Sequence, residues 1–311
     1  MAPAFSIITP VYNKLPHLER SIQSVLKQTH QQLELILIDD ASTDGSAEKL
    51  FEFEDERIKL LSRSAPGAGG YAARNVGIAH ATAEWLCFLD ADDEWQPEVL
   101  ETVNKVIQDN PDVELVCWGW YRTSGSTKTE DRHTRKFKDE EIRKFNLKDF
   151  FTDPQTMWMG AICVKKQLIK RAGTFPESGF KRGGDFDTWI RCMIQSKENI
   201  RICKPMSYYH VDSVNMITKN VEQTLDFLYT PHLLHIVRTT QDAGLRDAIL
   251  KFQNKCLYQV INKKVYSGRP INYKLVSKLN FNKQAVLLFT KLHLNRIRLS
   301  LAPTSRNVSS H

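Results

Sequence analysis

Three carboxylates follow a single apolar segment: Asp90, Asp92 and Asp93 come directly after residues 85–89. Apolar residues bury a strand, and carboxylates do not enter a core without a partner, so we expect these side chains at the exposed end of that strand. The cluster repels itself unless a cation lies between its oxygens, and Mg²⁺ or Mn²⁺ prefers such ligands. An ion held by one or two carboxylates completes its shell with substrate phosphates. The cluster therefore predicts a site that holds a diphosphate through a divalent ion.

Apolar runs alternate with segments of helical spacing over the first 90 residues. Strands are predicted at 5–9, 33–38, 57–62 and 86–89, and helices at 15–28, 46–53 and 71–81. This alternation predicts a parallel sheet covered on both faces by helices. Ligands of such sheets bind at the carboxyl ends of the strands. We therefore expect residues 10–13, 39–40 and 90–93 to meet at one edge of the sheet.

The remainder of the chain has a different pattern. Further strands are predicted at 113–121 and 161–164, and further helices at 166–172 and 183–194. Residues 123–146 are polar and predict a loop or flexible insertion with few core residues. Beyond residue 220 the pattern predicts helices alone, at 225–238, 245–266, 273–279 and 283–299.

Composition narrows the class of protein. The chain of 311 residues is 41% hydrophobic and 25% charged, which is typical of a soluble globular protein. It has no apolar stretch of about 18 residues and no signal peptide pattern at its N-terminus, and its six cysteines form no CxxC pair. We expect reduced thiols in a cytosolic protein.

The net charge of +7 is unevenly distributed, because residues 221–311 contain 14 Lys and Arg but 4 Asp and Glu. Such a basic region favours an anionic partner, either nucleic acid or the cytoplasmic face of a membrane. No helix-turn-helix, zinc or RNP-type pattern accompanies the charge, so no nucleic acid partner is expected.

Five segments together resemble an inverting nucleotide-sugar glycosyltransferase of family 2. They lie in the family's order and spacing at residues 6–13, 38–45, 73–77, 88–93 and 183–191. The resemblance implies an α/β fold of the GT-A type, a Rossmann-like mixed sheet flanked by helices, over residues 1–215. A basic helical C-terminal extension, residues 216–311, lies beyond it.

The resemblance also implies roles for residues that bind the sugar nucleotide. Tyr12 would stack on the base, Asp40 would accept a hydrogen bond from a uracil or guanine N–H, and Arg74 would hold the diphosphate or the base. The alternatives are that Asp40 caps a helix and that Arg74 forms a surface ion pair. The implied binding set is Pro10, Val11, Tyr12, Asn13, Asp40, Arg74, Asp90, Ala91 and Asp92.

A divalent ion, Mn²⁺ or Mg²⁺, is the implied cofactor. Asp92 is the expected metal ligand, Asp90 lies nearer the ribose, and His210 stands where related enzymes place a histidine that meets the metal or the diphosphate. A structural role for His210 is the alternative.

The segment Gly183–Asp187 resembles the family's acidic motif, with one departure. Gly184 stands where the family usually has Glu. Asp185 aligns with the catalytic base that takes the proton of the acceptor hydroxyl, while Asp187 is the alternative base or positions the acceptor. Trp158, Met159 and Gly184 are the expected lining of the acceptor pocket, and core packing is the alternative for Trp158 and Met159.

The expected activity is transfer of a monosaccharide from a nucleoside diphosphate sugar, a UDP-sugar, to a hydroxyl of a glycan or lipid-linked glycan, as in bacterial surface polysaccharide synthesis. The expected location is the cytoplasm, with peripheral attachment at the inner face of the membrane. Cationic and apolar positions alternate over residues 283–299, which favours either an anionic membrane surface or packing on the catalytic domain.

Two other functions fit parts of the sequence. Residues 67–72 match the Gly-x-Gly-x-x-Ala fingerprint with Asp90 about 20 residues further on, as in a NAD-type oxidoreductase. That fingerprint normally occupies the first strand-to-helix turn, whereas this loop is the third. A non-catalytic protein that binds a nucleotide sugar or nucleic acid is the second alternative.

Overall fold

The structure is a computed structural model that describes residues 4–153, 156–180, 182–221, 225–280 and 282–301. It divides into two compact units, Met1–Leu233 and Leu234–His311. The sequence-based boundary lies after residue 215, and residues 302–311 of the predicted C-terminal region lie outside the described residues. Each unit has its own hydrophobic core.

Unit 1 is built on a mixed sheet whose strands follow the order β3-β2-β1-β4-β9-β6-β10-β5. The first four strands of this order are parallel, whereas β9 runs antiparallel to both β4 and β6. Two short strands pair outside this path, β7 with β6 and β8 with β10. The strands are β1 (Phe5–Val11), β2 (Leu33–Asp39), β3 (Ile58–Ser62), β4 (Trp85–Phe88), β5 (Glu94–Trp95), β6 (Val113–Ser124), β7 (Thr127–Glu130), β8 (Ile142–Lys144), β9 (Ile162–Lys165) and β10 (Glu198–His210).

Helices cover the sheet because their apolar residues recur at helical spacing. In unit 1 they are α1 (Leu18–Leu26), α2 (Ser46–Leu50), α3 (Tyr71–His80), α4 (Val99–Asp109), α5 (Arg132–Lys136), α6 (Leu147–Thr152), α7 (Lys166–Arg171), α8 (Gly184–Gln195) and α9 (Ile217–Asn220). Helices α1 and α4 share one core with β1, β2 and β6. Helix α3 packs closely on β1, since a Cβ at Gly77 would lie 2.5 Å from Ile8 Cγ2. The α/β fold with a mixed sheet is as predicted.

Several segments differ from the prediction, among them helices α4 and α6, which form where no element was predicted. The structure places a strand of 13 residues, β10, at 198–210, where no element was predicted. Residues 123–146 are not a flexible insertion, because they contain β7, α5 and β8 and bury Asp131 and His133. Polar composition suggested a loop there, but Asp131 is buried with hydrogen-bond partners, and the ring of His133 is buried 4.6 Å from that of Phe137.

The helical pattern of the C-terminal region is confirmed, with one interruption. The predicted helix at 225–238 is divided into a short 3₁₀ turn, Asp226–Tyr229, and a helix that begins at Pro231. Proline suits the first position of a helix because it lacks the N–H that would stay unpaired there. The helices are α10 (Pro231–Thr239), α11 (Ala243–Tyr266), α12 (Tyr273–Val276) and α13 (Lys283–Leu301). Within the described ranges, none of the helices has the length and apolarity to cross a membrane.

A buried ion pair holds the 123–146 segment to the sheet. Arg201 on β10 donates to Asp131 Oδ1 at 2.9 Å, with side-chain exposures of 0% and 2%. Asp131 also accepts from Thr134 N at 2.9 Å and from Trp120 N at 3.0 Å. Burial and the neighbouring Arg201 lower the pKa of His133 to about 3, so this histidine stays neutral.

Asp131→Ala should lower the free energy of unfolding by about 3–5 kcal/mol, because it leaves the Arg201 guanidinium buried without its counter-charge. Urea denaturation measures the change. Asp112→Ala is the matched control, since its ion pair with Lys197 is 3.8 Å long and 72–75% exposed, and its expected effect is below about 0.5 kcal/mol. Equal urea denaturation midpoints for the two variants would show that the buried ion pair does not stabilise the fold.

Candidate functional site

The ends of β1, β2 and β4 meet at one edge of the sheet, as the sequence predicts. The amide of Asp40 donates to the carbonyl of Val11 at 2.7 Å, and the amide of Leu89 donates to Ile8 at 3.2 Å. A cavity opens at this edge. Its lining includes seven of the residues predicted to bind the sugar nucleotide: Pro10, Tyr12, Asp40, Arg74, Asp90, Ala91 and Asp92.

Two residues of the predicted set do not line this cavity. The side chain of Val11 is buried in the core. Asn13 has a φ of 52°, and its side-chain oxygen accepts from Thr43 N at 2.7 Å. Asn13 therefore shapes the loop after β1 and joins it to the loop after β2.

Asp40 is buried where β2 ends, and its two oxygens have partners. The Arg63 guanidinium donates to Oδ1, and the Gly67 amide donates to Oδ2 at 3.0 Å. The carboxylate thus fixes the glycine-rich loop beside the cavity that it lines. Each oxygen retains a second lone pair, so a base N–H can still be accepted there.

Arg74 lies on α3 and is buried, with its guanidinium directed at neighbouring groups of the protein. It donates to the Gly69 carbonyl at 2.8 Å and forms an ion pair with Asp90. The surface ion pair considered from sequence is therefore a buried one at the cavity wall. Arg74 is buried and Asp90 is half-buried, so their ion pair fixes the position of the Asp90 carboxylate, the first of the acidic cluster.

The cation beside Asp92 is Lys14, from the loop after β1. Its ammonium donates to Asp92 Oδ2 at 2.7 Å and to the Val214 carbonyl at 2.7 Å. The Val214 amide donates to His17 Nε2 at 3.1 Å. Lys14 consequently joins the acidic cluster to the segment that follows β10, and three residues of that segment line the cavity: Asn215, Met216 and Thr218.

Asp93 is buried beside the other two carboxylates. Its Oδ1 accepts from the His210 amide at 2.9 Å, whereas its Oδ2 is buried with no partner in the described part of the chain. Burial, followed by the charges of Asp92 and Asp90, raises the pKa of Asp93 well above its usual range. This is the expected behaviour of adjacent carboxylates without a divalent cation.

His210 meets the cluster through its backbone, not its ring. The imidazole Nε2 lies 3.2 Å from Glu94 Oε1, and Nδ1 lies 3.0 Å from Thr123 Oγ1. This geometry favours the structural role of His210. Within the described ranges, no group of three or more His, Cys, Asp or Glu side chains is arranged to hold a metal ion.

Asp185 lies in the first turn of α8, which starts after Gly183. Gly183 has a φ of 84°, a conformation that favours glycine. Burial raises the pKa of Asp185, while the charge of Arg74 lowers it and the charge of Asp90 raises it. Asp185 is not among the residues that line the cavity, but it contacts α3, the helix that carries Arg74. The hydroxyl of Tyr71 lies 3.4 Å from Asp185 Oδ1.

Asp187, the alternative base, is buried away from this arrangement. Its Oδ2 accepts from Arg191 Nε at 2.8 Å, and both side chains are below 10% exposed. Arg191 also donates to the carbonyls of Ala172 and Thr174. These contacts favour a role for Asp187 in joining α8 to the segment that follows α7.

The residues predicted to line the acceptor pocket are placed differently from one another. The Trp158 ring packs at 5.1 Å from that of Tyr209, which lines the cavity. Met159 is buried, and Gly184 is buried with little free space around it. Trp158 alone of the three is half-exposed near the cavity wall.

Sequence reasoning did not single out several residues at this edge: Lys14, Arg63, Tyr71, Tyr209 and Asn215. Lys14 directly follows Asn13 in a predicted site segment, so its position was a signal that could have been used. Tyr71 lies in the glycine-rich segment 67–72 and Tyr209 precedes His210, yet neither was assigned a role. Arg63 and Asn215 come from segments without a chemical motif, and only the fold brings them to this edge.

A comparison with family models matches residues 6–164 to "Glycosyl transferase family 2". The match covers just over half of the chain and contains the strands that carry the acidic cluster. The chain belongs to this family. The glycine-rich loop at residues 67–72 follows β3 at the edge of the sheet, so the dinucleotide fingerprint has no support from the topology.

Two curated relatives each match about a third of the chain. The putative teichuronic acid biosynthesis glycosyltransferase TuaG of Bacillus subtilis is 40% identical over 101 residues, which are 32% of this chain and 40% of the relative. The UDP-Glc:alpha-D-GlcNAc-diphosphoundecaprenol beta-1,3-glucosyltransferase WfgD of Escherichia coli is 46% identical over 97 residues, which are 31% of this chain and 38% of the relative. Each alignment thus spans about two fifths of the relative's own length.

A solved structure shares the fold. The crystal structure of S. aureus TarS 1–349 in complex with UDP-GlcNAc matches with a TM-score of 0.70 at 16% sequence identity. The match covers 96% of this chain and 89% of that chain. The chain therefore has the GT-A fold that its motifs implied.

Proposed function

We propose that this protein is an inverting glycosyltransferase that moves a monosaccharide from a nucleoside diphosphate sugar to an acceptor hydroxyl. The observation that carries the proposal is that one helix, α3, contacts both acidic groups: Arg74 pairs with Asp90 of the acidic cluster, and the Tyr71 hydroxyl lies 3.4 Å from Asp185 Oδ1. This arrangement supports a donor site and a carboxylate base on either side of α3, as direct displacement requires.

Asp185 is the proposed base. It would take the proton of the acceptor hydroxyl while that oxygen attacks the anomeric carbon from the face opposite the nucleotide, which inverts the configuration. Burial raises the pKa of Asp185 and so makes its carboxylate a stronger base, while Arg74 favours its ionised form. Asp187 is not the proposed base because its Oδ2 is bound to Arg191.

Asp185→Asn should lower turnover by about 100-fold or more, because general base catalysis of this kind contributes 10²–10⁴-fold. Donor affinity should stay within about twofold, since Asn keeps the shape of the side chain. Turnover is measured with a panel of nucleotide sugars and acceptors, and donor binding by calorimetry.

Asp187→Asn serves as the comparison in that experiment. Its expected effect is on stability, because Arg191 loses a buried counter-charge. If Asp187→Asn lost turnover at unchanged stability while Asp185→Asn kept near-normal turnover, the assignment of the base would be reversed.

A divalent ion, Mn²⁺ or Mg²⁺, is the proposed cofactor, held by Asp92 with Asp90 nearby. Asp92 and Asp90 supply the carboxylate oxygens that a hard cation prefers, and substrate phosphates complete the shell of an ion held by one or two carboxylates. One oxygen of Asp93 is buried beside them without a partner among the described residues. When bound, the ion would stabilise the charge of the departing diphosphate. Lys14 contacts Asp92 Oδ2, so metal binding requires that its ammonium move away or share the carboxylate.

Lys14→Met should strengthen Mn²⁺ binding to the free protein by about tenfold, because a nearby positive charge opposes the cation by about 1–4 kcal/mol. Electron paramagnetic resonance of unbound Mn²⁺ measures the affinity without any turnover. Lys105→Met is the control, since Lys105 pairs with Asp109 on the exposed face of α4. Unchanged affinity in Lys14→Met, or binding that survives Asp92→Ala, would contradict this site.

A UDP-sugar is the proposed donor, and a glycan or lipid-linked glycan in bacterial surface polysaccharide synthesis is the proposed acceptor. The support comes from the names of similar proteins. WfgD is named for UDP-Glc and a diphosphoundecaprenol acceptor, TuaG for teichuronic acid biosynthesis, and the TarS structure contains UDP-GlcNAc.

Peripheral attachment to the inner face of a membrane is part of the proposal, and α13 supports it. One side of this helix is buried in the core of unit 2 through Leu288 and Leu292. Five apolar side chains elsewhere on the helix are 41–54% exposed: Val286, Leu287, Phe289, Leu294 and Ile297. Exposed Lys283, Lys291, Arg296 and Arg298 flank them, and residues 248–301 contain no Asp or Glu. Cationic and apolar groups together suit an anionic lipid surface.

Leu294→Asp should reduce co-sedimentation of the full chain with anionic vesicles at low salt at least several-fold, because it puts a negative charge into the surface that meets the lipid. Phe51→Asp is the matched control, since Phe51 is an exposed apolar residue of unit 1, 76% accessible. Absence of pelleting by the unaltered protein, or equal loss in both variants, would exclude α13 as the attachment surface.

A further inference from the structure

Gly184 leaves a space that another side chain of the protein occupies. A Cβ at position 184 would lie 2.9 Å from Tyr71 Cε2, 3.0 Å from Tyr71 Cζ and 2.9 Å from Pro176 Cγ. A larger residue at 184, such as the Glu expected from the resemblance, therefore does not fit beside the Tyr71 ring. The glycine at 184 and the tyrosine at 71 therefore depend on each other, because the Tyr71 ring fills the space that a side chain at 184 would need.

Tyr71 is buried at the start of α3, and its hydroxyl is directed at the first turn of α8. It accepts a hydrogen bond from the Gly184 amide at 3.0 Å and lies within 3.4 Å of Asp185 Oδ1. Its ring stacks on that of Phe175 at 6.0 Å and 16°. Burial, followed by the charge of Asp185, raises the pKa of Tyr71 well above its usual range, so the hydroxyl keeps its proton and remains a donor at neutral pH.

We propose that Tyr71 is the positioning residue of the catalytic base, holding the Asp185 carboxylate through its hydroxyl while its ring fills the space beside Gly184. The inference rests on the proposed function, since it assigns Tyr71 a role toward the base named there. Tyr71 itself transfers no proton to or from the substrate. Its hydroxyl limits the rotation of the carboxylate and stabilises the ionised form that accepts the proton.

Burial raises the pKa of Asp185, the charge of Arg74 and the backbone N–H groups of Phe186 and Asp185 lower it, and the charge of Asp90 raises it. Tyr71 adds a side-chain contact to these groups. Arg74 and Asp90 act through charge and oppose each other. Tyr71 is the group whose hydroxyl lies within 3.5 Å of a carboxylate oxygen. Removing that hydroxyl should therefore raise the pKa of Asp185, while the ion pair between Arg74 and Asp90 stays in place.

Tyr71→Phe tests the proposal, because it removes the hydroxyl and keeps the buried ring. The acid limb of the profile of kcat against pH should move to higher pH by about one unit, since a base with a raised pKa is protonated over a wider range. At a pH on that limb kcat should fall about tenfold, while the donor KM changes less than about twofold. The thermal midpoint is measured alongside to show that the fold is retained.

Tyr208→Phe is the matched control. The Tyr208 hydroxyl also has two polar neighbours, Gln96 Nε2 at 3.2 Å and Lys128 Nζ at 3.3 Å, but it does not contact Asp185. This variant should keep the pH profile of the unaltered protein. If the pH profile of Tyr71→Phe coincided with that of Tyr208→Phe, the positioning role of Tyr71 would be wrong. The proposed function would still stand in that case, provided that Asp185→Asn had lost turnover.

Gly184→Ala provides a second, independent variant. Its added Cβ should displace the Tyr71 ring and move the acid limb in the same direction as Tyr71→Phe. In the double variant the two shifts should be less than additive, because the hydroxyl that the Cβ displaces is already absent. Full additivity would overturn the coupling. If Asp185→Asn remained active, the base assignment and this inference would both be wrong.

Discussion

Compensation of negative charge at the end of β4 is the constraint on which the site depends. Three carboxylates lie within four residues, and burial, followed by the charges of Asp92 and Asp90, raises the pKa of Asp93. Arg74 and Lys14 supply the positive charge, and each comes from a different segment. Because Arg74 also binds the Gly69 carbonyl and Lys14 the Val214 carbonyl, charge compensation fixes the loops that surround the cavity.

The same constraint connects the donor site with the base. Arg74 and Tyr71 are three residues apart on α3, and residues at this spacing lie on one face of a helix. One of them pairs with Asp90, and the other reaches Asp185. A short helix thus sets the distance between the acidic cluster at the end of β4 and Asp185, the proposed base. Close packing of α3 on β1 at Gly77 makes this helix a rigid support.

Spacing along a helix also separates the two aspartates of the acidic motif. Asp185 and Asp187 are two residues apart, so their side chains point in different directions from α8. Asp185 is directed toward Tyr71, whereas Asp187 meets Arg191 one turn further along the helix. Asp185 and Asp187 have the same chemical type, but they have different neighbours because their side chains leave the helix in different directions.

The sequence by itself determined the strands β1 to β4, their helices and the edge at which residues 10–13, 39–40 and 90–93 meet, because hydrophobic periodicity and the parallel connection are local rules. It did not determine β10, the buried polar cluster around Asp131, or the partners of Asp92, His210 and Asp185. Those contacts join residues that are distant in sequence: Lys14 meets Asp92 and Tyr71 meets Asp185. Only the tertiary structure decided them, since burial and charge compensation act on neighbours in space.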